Sequence, residues 1–305
     1  MILSNELQMK FHPGHSSKLV VIAGPTASGK TALAIEVAKR YNGEVIAADS
    51  RTIYRGFDIG TAKPSLEEQF GVPHHLLDIR NPGENYSAAD FQWDAEHVID
   101  QIRQRGHLPI IVGGTGLYID ALLFGYTFRS QASSNVVDNF DTLSTAELSN
   151  LVAERYADAV PLSERKNRQR LIKILRLGPA IQADRQQLKI DGIIVAKKPE
   201  MPILKQKIAI RVDEMLNNGF IQEVEKLINQ YGKACPQLSI IGYRHAVEYL
   251  SGRITLDELR ERFTRDDYQL ARRQMTWLRR NPYIVWCESD RHALEVITDY
   301  LSIKD

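Results

Sequence analysis

Strand and helix patterns alternating around a glycine-rich loop predict an α/β fold, a parallel sheet flanked by helices. Three observations carry this expectation. The apolar run Leu19-Val20-Val21-Ile22-Ala23 enters Gly24-Pro25-Thr26-Ala27-Ser28-Gly29-Lys30-Thr31, and a helical pattern follows from Ala32. A second buried-type run, Glu44-Val45-Ile46-Ala47-Ala48, ends in Asp49. A third, Leu108-Pro109-Ile110-Ile111-Val112, enters the glycine turn Gly113-Gly114-Thr115. Between the last two, residues 87–105 read as a helix, capped by Ser87 or Asn85 and stopped by Gly106. Ligands of such sheets sit at the carboxyl ends of the strands. Gly29, Lys30, Asp49, Gly114 and Thr115 should therefore converge.

The loop fits the phosphate-loop pattern G-x-x-x-x-G-K-[ST], in the strand–loop–helix context that gives the pattern its meaning. Glycines let backbone N–H groups turn inward, and the helix N-terminus adds positive potential. Lys30 reaches the phosphates, and the Thr31 hydroxyl can hold Mg²⁺. The expected fold is thus P-loop NTPase-like, with a di- or triphosphate as ligand. ATP-hydrolysing relatives of this fold also carry an Asp closing an apolar strand. Here the strand at 109–112 ends in glycines, and the acid follows the second strand instead, as Asp49. The absent strand-end acid argues against ATP hydrolysis, while the position of Asp49 alone does not separate a kinase from another transferase.

From about Gly125 the character changes. Residues 130–136 are polar and loop-like, while the stretches around 146–156 and 165–176 look helical, so 126–187 is read as an inserted small helical domain. The core is expected to comprise 1–125 and 188–305. Gly192-Ile193-Ile194-Val195-Ala196 returns to the sheet, and long helices follow at 202–219, 220–231 and 256–280.

The chain has 305 residues, 43% of them hydrophobic, enough to bury a full core. A formal net charge of +1 names no partner. No apolar run approaches the ~20 residues of a membrane span. The polar start without a secretory apolar region leads to a cytoplasmic expectation. Monomer is the default expectation. Cys235 and Cys287 form no C-x-x-C pair and are expected as reduced thiols in or near the core. His74 and His75 would point to opposite faces of a strand and cannot jointly clasp a metal.

Positive charge is local. Arg165, Lys166, Arg168, Arg170, Lys173 and Arg176 fall within twelve residues that contain no acid. On a helix, Lys166, Arg170 and Lys173 share a face, and Leu171 and Leu175 belong to an apolar one. Arg265, Arg272 and Arg279 recur every seven residues, beside Arg273 and Arg280. With Tyr268, Ala271, Met275 and Leu278 facing inward, this helix would show a basic flank outward, suited to a phosphate backbone. Trp277 is expected in the core.

The ordered motifs resemble the tRNA dimethylallyltransferases (tRNA isopentenyltransferases), the bacterial form in particular. The matching pieces begin with the glycine loop, Ala48-Asp49-Ser50 and Tyr54-Arg55-Gly56-Phe57-Asp58-Ile59-Gly60-Thr61-Ala62-Lys63-Pro64. Pro73-His74-His75-Leu76-Leu77-Asp78, Tyr86-Ser87-Ala88-Ala89-Asp90-Phe91 and Gly113-Gly114-Thr115-Gly116-Leu117-Tyr118 continue them. Arg165-Lys166-Asn167-Arg168-Gln169-Arg170, Gly242-Tyr243-Arg244 and Ala271-Arg272-Arg273-Gln274-Met275-Thr276-Trp277-Leu278-Arg279 complete the set. One departure is Lys173-Ile174-Leu175-Arg176, where members usually carry Arg-Ala-Leu-Glu.

The resemblance implies transfer of a dimethylallyl group from dimethylallyl diphosphate to N6 of the adenosine 3′ of the anticodon, with loss of diphosphate. The loop Gly24–Thr31, with Lys30, would then hold a leaving group, helped by Mg²⁺ at Thr31, and by family position Arg211 would meet the diphosphate. Asp49 is the candidate base for the amine proton, and Thr115 would orient the same amine. The family places Asp49, Ser50, Arg51, Thr52 and the stretch from Gln169 through Arg170 to Lys173 against the tRNA anticodon stem-loop. The target base must be extruded to reach Asp49. Three other readings remain: prenyl transfer to free adenine nucleotides, a small-molecule kinase, and a phosphate-sensing RNA-binding module without catalysis.

Overall fold

A computed structural model of the chain describes residues 17–126, 140–156, 168–177 and 188–303; of Gln169 and Lys173 it describes the backbone alone. Six strands form one parallel sheet in the order β3-β2-β4-β1-β5-β6. They are β1 (Leu19–Ala23), β2 (Gly43–Ala48), β3 (His74–His75), β4 (Leu108–Gly113), β5 (Gly192–Lys197) and β6 (Ile284–Cys287). Every residue of β1 and β4 is buried, as continuous apolar runs require when both faces of a sheet are covered. Chain order runs from β1 to the β2 side and later crosses to β5 on the other side. The crevice of such a sheet therefore opens at the carboxyl end of β1.

On one face, α1 (Lys30–Tyr41) and α10 (Asp290–Ser302) share a core with Val20, Ile22, Val45, Ile110 and Val112. Helix α2 (Ala88–Gln104) lies against β2 and β4. It starts in a capping box, with Ser87 accepting from Asp90 N and Asp90 accepting from Ser87 N, so Ser87 and not Asn85 is the cap. A second core gathers Ile53, Phe57, Phe220, Tyr243 and Phe263. It is built on α6 (Met201–Asn217), α7 (Phe220–Tyr231), α8 (Tyr243–Leu250) and α9 (Leu256–Leu278).

Several elements lay outside the sequence expectation: β3, β6, α8, α10 and α3 (Gly116–Phe124). Both cysteines are free and buried. His75 donates from Nε2 to Glu44, whose carboxylate also holds Arg105 and His107. Desolvation there is outweighed by hydrogen bonds from Arg105, His75 and His107, which hold Glu44 at about 2.

Contacts divide the chain into two units, Met1–Leu122 with Ile190–Asp305, and Leu123–Lys189. Within the second, α4 (Thr145–Tyr156) packs on α5 (Arg168–Leu177) through Leu148, Val152, Leu171 and Leu175. Arg170 is exposed there, while Arg165 and Lys166 lie outside the described residues.

One row of the sheet sets the position of the loops that leave it. Ala23, Ala48, Gly113 and Ala196 align across β1, β2, β4 and β5 at their carboxyl ends. A Cβ on Gly113 would lie 2.1 Å from the Ala48 carbonyl oxygen. Gly113→Ala must therefore part β2 from β4 where Asp49 and Thr115 leave the sheet. A loss of about 3 kcal/mol in chemical denaturation is expected; an unchanged midpoint would show that the strands have slack.

Candidate active site

Past that row the chain leaves the sheet as Gly24, Asp49 and Gly114. Gly24 N donates to Gly113 O at 3.3 Å, tying the first loop to the third. The phosphate loop turns through left-handed backbone at Ala27 (φ 61°) and Gly29 (φ 81°), the geometry that lets successive N–H groups face one concavity. A Cβ on Gly24 would lie 2.6 Å from Ser28 Oγ, so the close approach needs glycine. Pro25 closes the turn, its carbonyl accepting from Ser28 N at 3.3 Å and from Lys30 Nζ at 3.2 Å. Lys30 and Thr31 open α1, and the Thr31 hydroxyl has no partner among the described residues.

The charges meet here. Burial pushes the Lys30 ammonium down to about 8, the Asp49 carboxylate pulls it back up, and Arg211 adds to the depression. Burial, with Asp49's charge among the further causes, raises the Tyr118 phenol above its ordinary range. Lys30 on α1 thus feels the charges of Asp49, at the end of β2, and Arg211, on α6. Arg211 Nη2 donates to Asp267 Oδ2 at 2.6 Å.

Asp49 is half-buried, and its Oδ1 accepts from Arg51 N at 2.9 Å, which orients the carboxylate. Thr115 stands opposite. Its N donates to Ala48 O at 3.2 Å and its Oγ1 accepts from Ser50 N at 3.1 Å. Ser50 is exposed, and Arg51 is held by Asp267 at 3.5 Å. Beside Ser50 and Arg51 an open cavity of about 390 Å³ is lined by Tyr54, Gln237 and Ile240.

Thr52 departs from expectation. Its side chain is buried, because the turn closed by Tyr54 N on Arg51 O carries it inward. Arg272 and Arg273 on α9, and Arg279 and Arg280 just past its end, are exposed, while Ala271, Met275 and Leu278 are buried. Arg265, the third member of the repeat, is drawn toward Asp266 at 3.2 Å. Trp277, expected in the core, is half-buried: it packs over Gly116 and donates to the buried Asp120 at 2.7 Å.

Two further residues support the site, neither of them a sequence-predicted site residue. Gln274 Oε1 accepts from Thr26 N at 2.9 Å, so α9 steadies the phosphate loop. Asp267, two turns earlier on the same helix, holds both Arg51 and Arg211. Gln274 lay inside a recognised motif; Asp267 had no local signal.

The IPP transferase family profile matches residues 52–281. The chain belongs to the IPP transferase family. It is 37% identical to a tRNA dimethylallyltransferase of Macrococcus caseolyticus, over 93% of this chain and 95% of that one. A crystal structure of a full-length tRNA isopentenylpyrophosphate transferase from Bacillus halodurans superposes with a TM-score of 0.71. It is 35% identical and covers 93% of this chain and 97% of that one. A eukaryotic dimethylallyltransferase acting on tRNA gives a TM-score of 0.77 at 25% identity, over 95% of this chain and 80% of its own. The family membership accounts for a phosphate loop in a sheet without the strand-end acid of ATP hydrolysis.

Proposed function

We propose that this chain transfers a dimethylallyl group from dimethylallyl diphosphate to N6 of the adenosine 3′ of the anticodon in tRNA, releasing diphosphate. The observation that carries the reading is the convergence of the phosphate loop, Asp49 and Thr115 at adjacent strand ends, where Gly24 N donates to Gly113 O and Thr115 Oγ1 accepts from Ser50 N beside Asp49. The loop amides, Lys30 and Arg211 stabilise charge as the allylic C–O bond breaks and its electron pair goes to the diphosphate oxygen. The adenine N6 lone pair forms the new N–C bond, and Asp49 accepts the N6 proton. Thr115 orients the amine.

Mg²⁺ fits this loop. No cluster of three His, Cys, Asp or Glu side chains exists among the described residues, but Mg²⁺ is commonly held by few protein oxygens plus phosphates and water. Thr31, with its unengaged hydroxyl, would hold it, and the ion would neutralise diphosphate charge.

For the RNA, the supporting features in the first unit are the exposed arginines on α9 and just past its end, with Ser50 and Arg51; the second unit is taken to contribute Gln169, Arg170 and Lys173 by resemblance. Arg272→Ala with Arg279→Ala should weaken anticodon stem-loop binding and reduce the salt slope by about 2. An unchanged slope would place the RNA on another face. Among the described residues no helix is long and apolar enough to cross a membrane. A monomer in the cytoplasm, where tRNA resides, completes the reading.

Labelled dimethylallyl diphosphate with Mg²⁺ and either unmodified tRNA or AMP tests it directly. Label entering tRNA supports the proposal. Label entering AMP alone, or γ-phosphate transfer from ATP to a small molecule, would overturn it.

A further inference from the structure

The diphosphate side and the RNA side of this site meet at one side chain. Asp267 is 2% exposed and lies on α9, between the phosphate loop's partner Gln274 and the second core residue Phe263. Its two oxygens serve two different arginines. Oδ2 accepts from Arg211 Nη2 at 2.6 Å, and Oδ1 lies 3.5 Å from Arg51 Nη1. The adjacent Asp266 faces another set, Arg244, His245 and Arg265, so the two neighbouring acids divide five basic groups without sharing one.

A buried ion pair is weak evidence for stability, since desolvation offsets its attraction. Asp267 therefore calls for a functional account. Arg211 supplies the second clue: its Nε is buried and has no partner among the described residues. With Nε unbonded, the hydrogen bond from Nη2 to Asp267 is what fixes this guanidinium. The Arg211 charge is also felt at Lys30 in the phosphate loop, so the guanidinium that Asp267 fixes stands near the diphosphate site of the reading above. Without Asp267, Arg51 and Arg211 would lose the carboxylate that holds both, and like charges repel.

We propose that Asp267 is a positioning residue that pre-orients Arg211 for diphosphate and Arg51 for RNA, so that one buried carboxylate supports the binding of both substrates. The proposal rests on the prenyl-transfer reading above. Asp267 touches neither substrate and acts through its two arginines.

The test is steady-state kinetics on the full-length chain with dimethylallyl diphosphate and an unmodified anticodon stem-loop. Asp267→Asn keeps the shape and removes the charge. It should raise KM for the diphosphate about 10-fold, as expected when a charge-assisted clamp is lost, and KM for the stem-loop several-fold, with kcat within about 3-fold. A double-mutant cycle isolates the route. In an Arg211→Ala background, Asp267→Asn should add little to the diphosphate KM; in an Arg51→Ala background it should still raise it. Equal increments in both backgrounds, or a fall in kcat with both KM values unchanged, would overturn the proposal. If Asp267→Asn does not fold, Asp267→Glu serves: raised KM values for both substrates support the proposal, and wild-type values sink it. A wild-type chain that transfers no prenyl group to RNA would instead condemn the function itself.

Discussion

Replacing Asp49 with Asn is expected to lower kcat by about 10²-fold while leaving stem-loop binding intact, because it removes the base and little else. The amide keeps an oxygen to accept from Arg51 N, so the turn after β2 survives, which Asp49→Ala does not guarantee. The electrostatics add a second, opposite consequence. Asp49's charge supports the Lys30 ammonium, yet it also faces the incoming diphosphate, and like charges repel. Diphosphate affinity should therefore hold or tighten as turnover collapses. A purely structural Asp49 would weaken both together. Near-normal turnover in the Asn variant, measured with saturating substrates, would remove Asp49 as the base.

The sequence displayed this site well where chemistry depends on local backbone. The glycine loop is legible because Gly29 needs left-handed backbone and Gly24 a close approach, requirements written into residue type at fixed spacing. The carboxyl-end row was legible too, since apolar runs ending in small residues and then Asp49 or Gly114 can only be strand ends. Helix α3 was not legible. Ile119, Ala121, Leu122, Leu123 and Phe124 are all buried, so no amphipathic period marks it as a helix.

Asp267 and Thr52 show the other limit. Asp267 acquires its role from Arg51 and Arg211, 216 and 56 residues away, and nothing within its own helix distinguishes it from the neighbouring Asp266. Thr52 follows Asp49, Ser50 and Arg51 in the chain and was expected to share their face. A single turn hydrogen bond sends it inward instead. Proximity in sequence predicts function only as far as the next turn. Arg51 shows the same point: placed against the RNA by resemblance, it is held by an acid on a distant helix.

Lys30→Met should lower kcat/KM for dimethylallyl diphosphate by about 10²- to 10³-fold, the scale for removing one donor from developing anionic charge. Its pH behaviour distinguishes this lysine from a generic surface cation. In the ligand-free chain Lys30 titrates near 8 against 10.5 for an ordinary lysine, because burial disfavours its charge. As pH rises through about 8 the ammonium is lost, so kcat/KM should fall toward a tenfold drop per pH unit. Stability moves the other way. Between pH 8 and 10.5 the unfolded chain binds the proton that the folded chain has released, so the Lys30 contribution to folding stability rises with pH across that window. Bound diphosphate restores the charge, and at pH 8 binding should take up a fraction of a proton, visible by calorimetry in buffers of differing ionisation enthalpy. The Met variant should lose the alkaline limb, the stability slope and the proton uptake together. A kcat/KM flat from about pH 7 to 9 in the wild type, or a limb that persists in the Met variant, would mean that the diphosphate is gripped without this ammonium.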